Sequence, residues 1–252
     1  MPDTSITAGM KDAWNRRAGK DPFHYVETEH WDGDIEKFFG LGEARAKLFL
    51  DPILASLGID AGAQTALDFG CGVGRFSRVL SRRFARVIGI DVSEEMIRVA
   101  NELQAGRDGH IDFRVGDGVS VPVEDRCVDF AFSYEVFQHF PAPEIAASNF
   151  REIARALRPG GHALIHCKTG EEPATLLQSI YRRLPRTLSD QLAPLLGRDP
   201  LKRDAAYRGT ILTLDQITAM CRAAALEILD FRPDPTHDGT CRTFVLARPK
   251  PM

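Results

Sequence analysis

Excess positive charge is missing from this chain of 252 residues: 32 lysines and arginines stand against 35 aspartates and glutamates, a formal net of −3. Without a basic field there is no global electrostatic hold on a polyanion, so nucleic acid is not expected as a partner. Long apolar runs are also missing. No stretch of eighteen apolar residues occurs, which excludes a membrane-spanning helix, and Met1 to Lys11 carries no apolar core of a secretory signal. Cysteine is sparse and scattered, with five residues at 71, 127, 167, 221 and 241 and no C-x-x-C pair. That argues against a disulfide framework and a structural zinc, and no metal is expected; a reduced, cytoplasmic protein is the expectation. Internal repeats and low-complexity tracts are absent as well.

What is present is enough for one packed core. Hydrophobic residues make up 44% of the chain, and the length suits a single α/β unit with an elaboration. Short apolar runs read as strands at Thr65–Phe69, Val87–Ile90, Ile111–Val115, Cys127–Ser133 and His162–Lys168. Helical patterns alternate with them: Gly74–Arg83, a second helix capped by Ser93, and a third opened by Pro143 and ended by Arg158-Pro159-Gly160-Gly161. This β-α-β rhythm predicts a parallel sheet with helices on both faces. Residues 1 to about 10 read as disordered, and Met10 to Leu57 as helical but broken at Asp21-Pro22 and Trp31–Asp34. The run from Glu43 to Leu57 is expected to kink or divide at Pro52. Between Pro173 and Gly209 lie seven arginines and lysines against three aspartates; a solvated helix face or a surface for an acidic substrate are the two readings. Thr213 and Gln216 form a capping box, and two last strands, Glu227–Arg232 and Cys241–Ala247, flank the turn-rich run Pro233 to Gly239.

The most informative segment is Ala66-Leu67-Asp68-Phe69-Gly70-Cys71-Gly72-Val73-Gly74-Arg75, followed by Ile88-Gly89-Ile90-Asp91. It reads as a strand, a glycine turn opening a helix, and a second strand ending in a carboxylate, the nucleotide-binding end of an open α/β sheet. A dinucleotide fingerprint would place its third glycine at position 75, where this chain has arginine. A diphosphate over the turn would be repelled by Asp68, whereas a cationic ligand would not. Asp91 stands where a carboxylate can accept from both ribose hydroxyls, with helix capping beside Ser93 as its alternative role. Arg75 reads as a solvated first-turn side chain, or as a partner for a carboxylate.

The D-x-G-x-G-x-G turn with Asp91 resembles the class I S-adenosylmethionine-dependent methyltransferases, well over about residues 60 to 170 and more loosely at the last two strands. The resemblance implies a Rossmann-like three-layer sandwich with a seven-stranded, mostly parallel sheet and a C-terminal antiparallel hairpin. It implies an N-terminal helical lid or cap over residues 1–60, a methyltransferase domain over 61–252, and a helical substrate-lid insertion over 171–209. S-adenosyl-L-methionine is the implied cofactor. Asp68, Gly70, Cys71, Gly72 and Gly74 would meet its methionine end, Asp91 and Val92 its ribose, and Met96, Asp117, Gly118 and Ser133 the remainder, Asp117 accepting from the adenine amino group. At the end of the fourth strand, Ser133-Tyr134-Glu135-Val136 replaces the Asn/Asp-Pro-Pro-aromatic motif of many enzymes that methylate base amines or glutamine. That departure points to a small-molecule acceptor, most simply a hydroxyl. His139 is the candidate general base, an imidazole being able to take a proton near neutral pH; a helix-start histidine bonded to backbone is its alternative reading. Glu135 and Tyr134 follow as further candidates. His24 and His30 would enter the site only if the N-terminal segment is a lid, Trp14, Tyr25 and Trp31 read either as a cover over cofactor or acceptor or as packing before a core strand, and His166 reads as a buried strand residue. An NAD(P)-dependent oxidoreductase and a cofactor-binding regulator without catalysis are the competing functions. The chain is expected to act as a monomer or homodimer.

Overall fold

Seven strands form one sheet in the order β3-β2-β1-β4-β5-β7-β6. In chain order they are β1 (Thr65–Phe69), β2 (Arg86–Asp91), β3 (Ile111–Val115), β4 (Val128–Ser133), β5 (Leu157–Lys168), β6 (Leu226–Pro233) and β7 (Arg242–Pro249). The first five run parallel, β7 runs antiparallel against β5, and β6 antiparallel against β7. Among the described residues the α-helices are α1 (Thr4–Lys20), α2 (Pro22–Val26), α3 (Ile35–Ser56), α4 (Arg75–Ser81), α5 (Glu94–Gln104), α6 (Pro143–Ala156) and α7 (Leu214–Ala223). The computed structural model describes residues 4–107, 110–170, 201, 207, 209–237 and 241–251. The 171–209 insertion, with its basic residues, therefore lies outside the described residues apart from Leu201, Tyr207 and Gly209.

Strand alternation divides the core between the two faces of the sheet. Ala66, Phe130, Phe132 and Leu164 point to the face covered by α3 and α4, where Phe49, Leu50, Ile53, Phe76 and Leu80 meet them. Leu67, Phe69, Ala131 and Ile165 point the other way, to Phe150 and Ile153 of α6 and Ile217 of α7. Both faces of the central strands are apolar because both are covered, as a parallel sheet requires. Each fully buried leucine, isoleucine or phenylalanine contributes about 1.5–3 kcal/mol to holding the layers together.

Local signals mostly act as their chemistry predicts. Ser93 caps α5 by accepting from the Met96 N–H, and the Thr213–Gln216 box caps α7 in both directions. Three boundaries differ. Helix α1 begins at Thr4 instead of after residue 10, because Asn15 accepts from the Ser93 hydroxyl and Lys11 pairs with Glu94, tying it to α5. Helix α3 starts at Ile35, capped by Asp34, and runs through Pro52. Pro52 sits on an exposed face with Leu48, so water can serve the carbonyl that the proline cannot. Strand β5 starts at Leu157 and takes in Pro159-Gly160-Gly161, where its pairing with β4 shifts register; a Cβ at Gly161 would lie 2.8 Å from the Asp129 carbonyl.

Candidate active site

At the carboxyl end of β1 the chain turns through Gly70 (φ +78°), Gly72 (φ +52°) and Gly74 (φ +84°) into α4. The three glycines do different things. A Cβ on Gly70 would overlap the Val136 side chain, and one on Gly72 would press Val26 of α2 at 3.0 Å. Both therefore present bare backbone to the cavity described below. Gly74 instead caps α4 from beneath, where a Cβ would meet the Phe113 ring at 2.8 Å; it is a packing glycine and does not reach the cavity wall. At the end of β2, Asp91 accepts from the Gly72 N–H on Oδ2 and from the Ser93 N–H on Oδ1, each at 2.9 Å. Burial raises its pKa, and those backbone donors oppose the rise. Asp91 thus ties the glycine turn to the entry of α5, whose N-cap is Ser93 itself.

A cavity of about 370 Å³ opens over this turn. One end is walled by Gly70, Gly72, Asp91, Val92, Met96 and Gly118, together with Met10 and Trp14 of α1. Five residues expected to touch the cofactor stand elsewhere. Asp68 is 2% exposed and accepts from the Ser77 hydroxyl at 2.6 Å; burial pushes its pKa up to about 7, Asp91 adding to the rise while Ser77 and Arg75 oppose it. Cys71 and Ser133 are buried behind the wall, as Gly74 is beneath the turn. Asp117 is exposed and folds onto its own loop, accepting from the Val119 and Ser120 N–H groups and the Ser120 hydroxyl.

The other end of the cavity is polar and is built from the ends of β4, β5 and β7. Glu135, two residues beyond the end of β4, has φ +59°, an uncommon conformation for a residue with a side chain. Its Oε1 accepts from Arg242 Nη1 at 2.7 Å, and the same nitrogen donates to Gln138 Oε1 at 2.9 Å. The Gln138 amide nitrogen then faces His139 Nε2 at 3.3 Å, and His139 Nδ1 lies 3.0 Å from the Tyr207 carbonyl. Both His139 nitrogens are thus engaged, and burial holds its pKa down to about 4. Gly209 (φ +56°) makes the return possible, since a Cβ there would overlap the Gln138 carbonyl. Behind this layer, Asp234 is fully buried and collects the Tyr134 hydroxyl (3.2 Å), the Thr236 N–H and hydroxyl (both 2.8 Å) and His237 Nδ1 (2.9 Å), with His166 Nε2 at ion-pair distance, 3.1 Å from Oδ2. Burial alone would raise the Asp234 pKa; His166 and His237 outweigh it and hold the carboxyl far below the usual range. Tyr134 is pushed up by burial and by the charges of Glu135 and Asp234. Among the described residues no group of three or more His, Cys, Asp or Glu is arranged to hold a metal ion.

The N-terminal helices close the cavity, and one carboxylate pins them there. Glu27, 4% exposed, pairs with Arg75 and Arg45 and lies 2.9 Å from His30 Nδ1. Arg75, read from sequence as solvated, is 3% exposed and ion-paired. Gly42 of α3 lets the chain pass over its stem, where a Cβ would lie 2.8 Å from Arg75 Cγ. Glu27, Arg45, Arg242, Asp234 and His237 were not singled out by the sequence. The signal for the last three was the antiparallel register that sets Arg242 opposite Lys168, bringing the β6–β7 turn to the carboxyl end of β5.

Comparison with known proteins agrees with this geometry. Residues 67–165 match the family described as a methyltransferase domain. Malonyl-[acyl-carrier protein] O-methyltransferase of Methylococcus capsulatus is 36% identical over 118 residues, 46% of this chain and 41% of that protein. The chloroplastic tocopherol O-methyltransferase of Arabidopsis thaliana is 36% identical over 102 residues, 39% of this chain and 28% of that one. The matches span about half or less of the curated relatives' length. Among solved structures, magnesium protoporphyrin IX methyltransferase from Synechocystis with bound S-adenosylhomocysteine superposes with a TM-score of 0.61 at 19% identity, covering 95% of this chain and 98% of that one. Phosphoethanolamine N-methyltransferase 1 of Haemonchus contortus gives 0.68 at 16% identity, covering 99% and 50%. The sheet order, with antiparallel β7 inserted between β5 and β6, also departs from the dinucleotide-binding order.

Proposed function

We infer that this chain, a member of the class I S-adenosylmethionine-dependent methyltransferases, transfers a methyl group to a hydroxyl of a small-molecule acceptor. One observation carries the reading: a single cavity joins the glycine turn and Asp91 to the polar chamber of Tyr134, Glu135 and His237. The residues present fit the cofactor. Gly70 and Gly72 leave backbone open where a Cβ would crowd the turn, Asp91 offers carboxylate oxygens to ribose hydroxyls, and Ile90, Val92, Met96 and Gly118 make an apolar bed for a purine. When bound, the cofactor supplies an electrophilic methyl on a sulfonium, so the hard chemistry is its own.

The protein's contribution is then positional. Holding an acceptor oxygen in line with the methyl is worth much of the acceleration, and the walls at Val136, Gln138 and Phe140 set that line. Met10, Trp14, Tyr25 and Val26 exclude water, so we read residues 1–60 as the cap over a methyltransferase domain spanning 61–252. A cavity of about 370 Å³ and a net charge of −3 favour a small acceptor over a nucleic acid. Asp68, Cys71, Gly74 and Ser133 support the turn from behind in this reading. Calorimetric titration with S-adenosylhomocysteine, with NADH as the parallel control, tests it: micromolar binding of the first and none of the second is expected. Silence from S-adenosylhomocysteine in a folded sample refutes it.

A further inference from the structure

We propose that His237 is the general base of this site, held by Asp234; the proposal rests on the methyl-transfer reading above. Two imidazoles share the Asp234 carboxylate, and their hydrogen bonds assign them opposite tautomers. His166 Nδ1 accepts from the Glu135 N–H at 3.3 Å, so its proton is on Nε2, which faces Asp234 Oδ2 at 3.1 Å. His237 turns the other edge inward: Nδ1 lies 2.9 Å from Asp234 Oδ2, so the proton sits on Nδ1 and Nε2 keeps its lone pair. His166 is fully buried, whereas the His237 side chain is 25% exposed and lines the cavity.

Among the described residues, none stands within hydrogen-bond distance of that lone pair. The nearest acid, Glu135 Oε1, is 3.7 Å from His237 Nε2, beyond a hydrogen bond, and that oxygen accepts from Arg242. The other candidates are committed elsewhere: His139 is engaged at both nitrogens, and the Tyr134 hydroxyl donates to Asp234. An imidazole oriented by a buried carboxylate, its far nitrogen free toward a reaction chamber, is the arrangement a proton acceptor needs. The acceptor's O–H bond breaks with its proton passing to His237 Nε2. The oxygen's electron pair forms the new O–CH₃ bond as the donor S–CH₃ bond breaks. The positive charge of the sulfonium ends on the imidazolium beside Asp234 and leaves when His237 returns its proton to water.

Histidine-labelled protein at neutral pH decides the first point by two-bond ¹H–¹⁵N correlation: His237 should be the Nδ1–H tautomer and His166 the Nε2–H tautomer. Diethyl pyrocarbonate should carbethoxylate His237 in the folded protein and leave His166 untouched. His237→Gln should bind S-adenosylhomocysteine within about twofold of wild type, and with any hydroxyl acceptor the enzyme turns over should lose about 10²–10⁴-fold in kcat with little change in KM. An Nε2–H tautomer at His237, resistance to carbethoxylation, lost cofactor affinity in the variant, or an unchanged kcat each overturns the proposal. Failure of wild type to bind S-adenosylhomocysteine would instead sink the methyl-transfer reading, which the tautomer spectrum does not depend on.

Discussion

Replacing Glu27 by glutamine tests how the N-terminal helices are fastened to the glycine turn. Burial by itself would raise the Glu27 pKa from 4.5; Arg75 foremost, then His30 and Arg45, overcome that and hold it at about 2. A shift of that size corresponds to on the order of 3 kcal/mol of stability. Because the folded-state value is depressed, the unfolded chain binds the proton more readily. The contribution is therefore complete above 4.5 and disappears as pH falls toward about 2. In Glu27→Gln the loss is present at neutral pH, and it leaves Arg75, 3% exposed, without its counter-ion. Removing one partner of a buried pair costs about 3–5 kcal/mol. Urea unfolding at neutral pH should show a lowered midpoint with unchanged slope. A series in the acid range should show a shallower fall of stability in the variant than in wild type. S-adenosylhomocysteine affinity should weaken as well, since Val26 of α2 stands over Gly72, where it would meet a Cβ at 3.0 Å. A variant within about 0.5 kcal/mol of wild type at neutral pH, with the same acid slope, would mean that Glu27 does not hold the cap.

Other perturbations follow from the same geometry. Asp91→Ala removes the acceptor of the Gly72 and Ser93 N–H groups; it should destabilise by about 1–3 kcal/mol and weaken S-adenosylhomocysteine at least tenfold by calorimetry, and undiminished affinity would exclude Asp91 from the ribose site. Gly70→Ala should cost about 1–3 kcal/mol in thermal or urea unfolding, and Val136→Ala in the same chain should recover the steric part but not the cost of φ +78°; no recovery would mean that Val136 is not the obstacle. His139 is held down to about 4 by burial against an ordinary 6.5, so unfolding takes up a proton between those values and stability should decline on acidification through that window. His139→Gln should flatten that decline, and an unchanged profile would show that His139 is not the group responsible.

Legibility in the sequence followed the range of the interactions. The glycine turn, the Ser93 and Thr213 caps, the strand runs and the acid at position 91 are set by neighbours a few residues apart, through hydrogen bonding at helix ends and the period of apolar side chains. Those local rules, with the family resemblance, were enough for the sheet and for the glycine turn that walls one end of the cavity. They singled out Asp117 and Gly74 without showing that Asp117 also closes an Asx turn or that Gly74 packs under the Phe113 ring. A motif states which residues recur, not which way each side chain leans. The polar chamber is a product of tertiary structure. Glu27 meets Arg75 across the cap, Arg242 meets Glu135 across the sheet end, and Asp234 gathers Tyr134, His166 and His237 from three strands' ends. Each member looks like an ordinary surface or turn residue until burial makes an unpaired charge costly and the fold supplies its partner. The sequence by itself therefore determined the sheet and its glycine turn, while only the packed fold decided which carboxylates are buried, which arginine is buried and ion-paired, and which histidine lines the cavity beside Asp234.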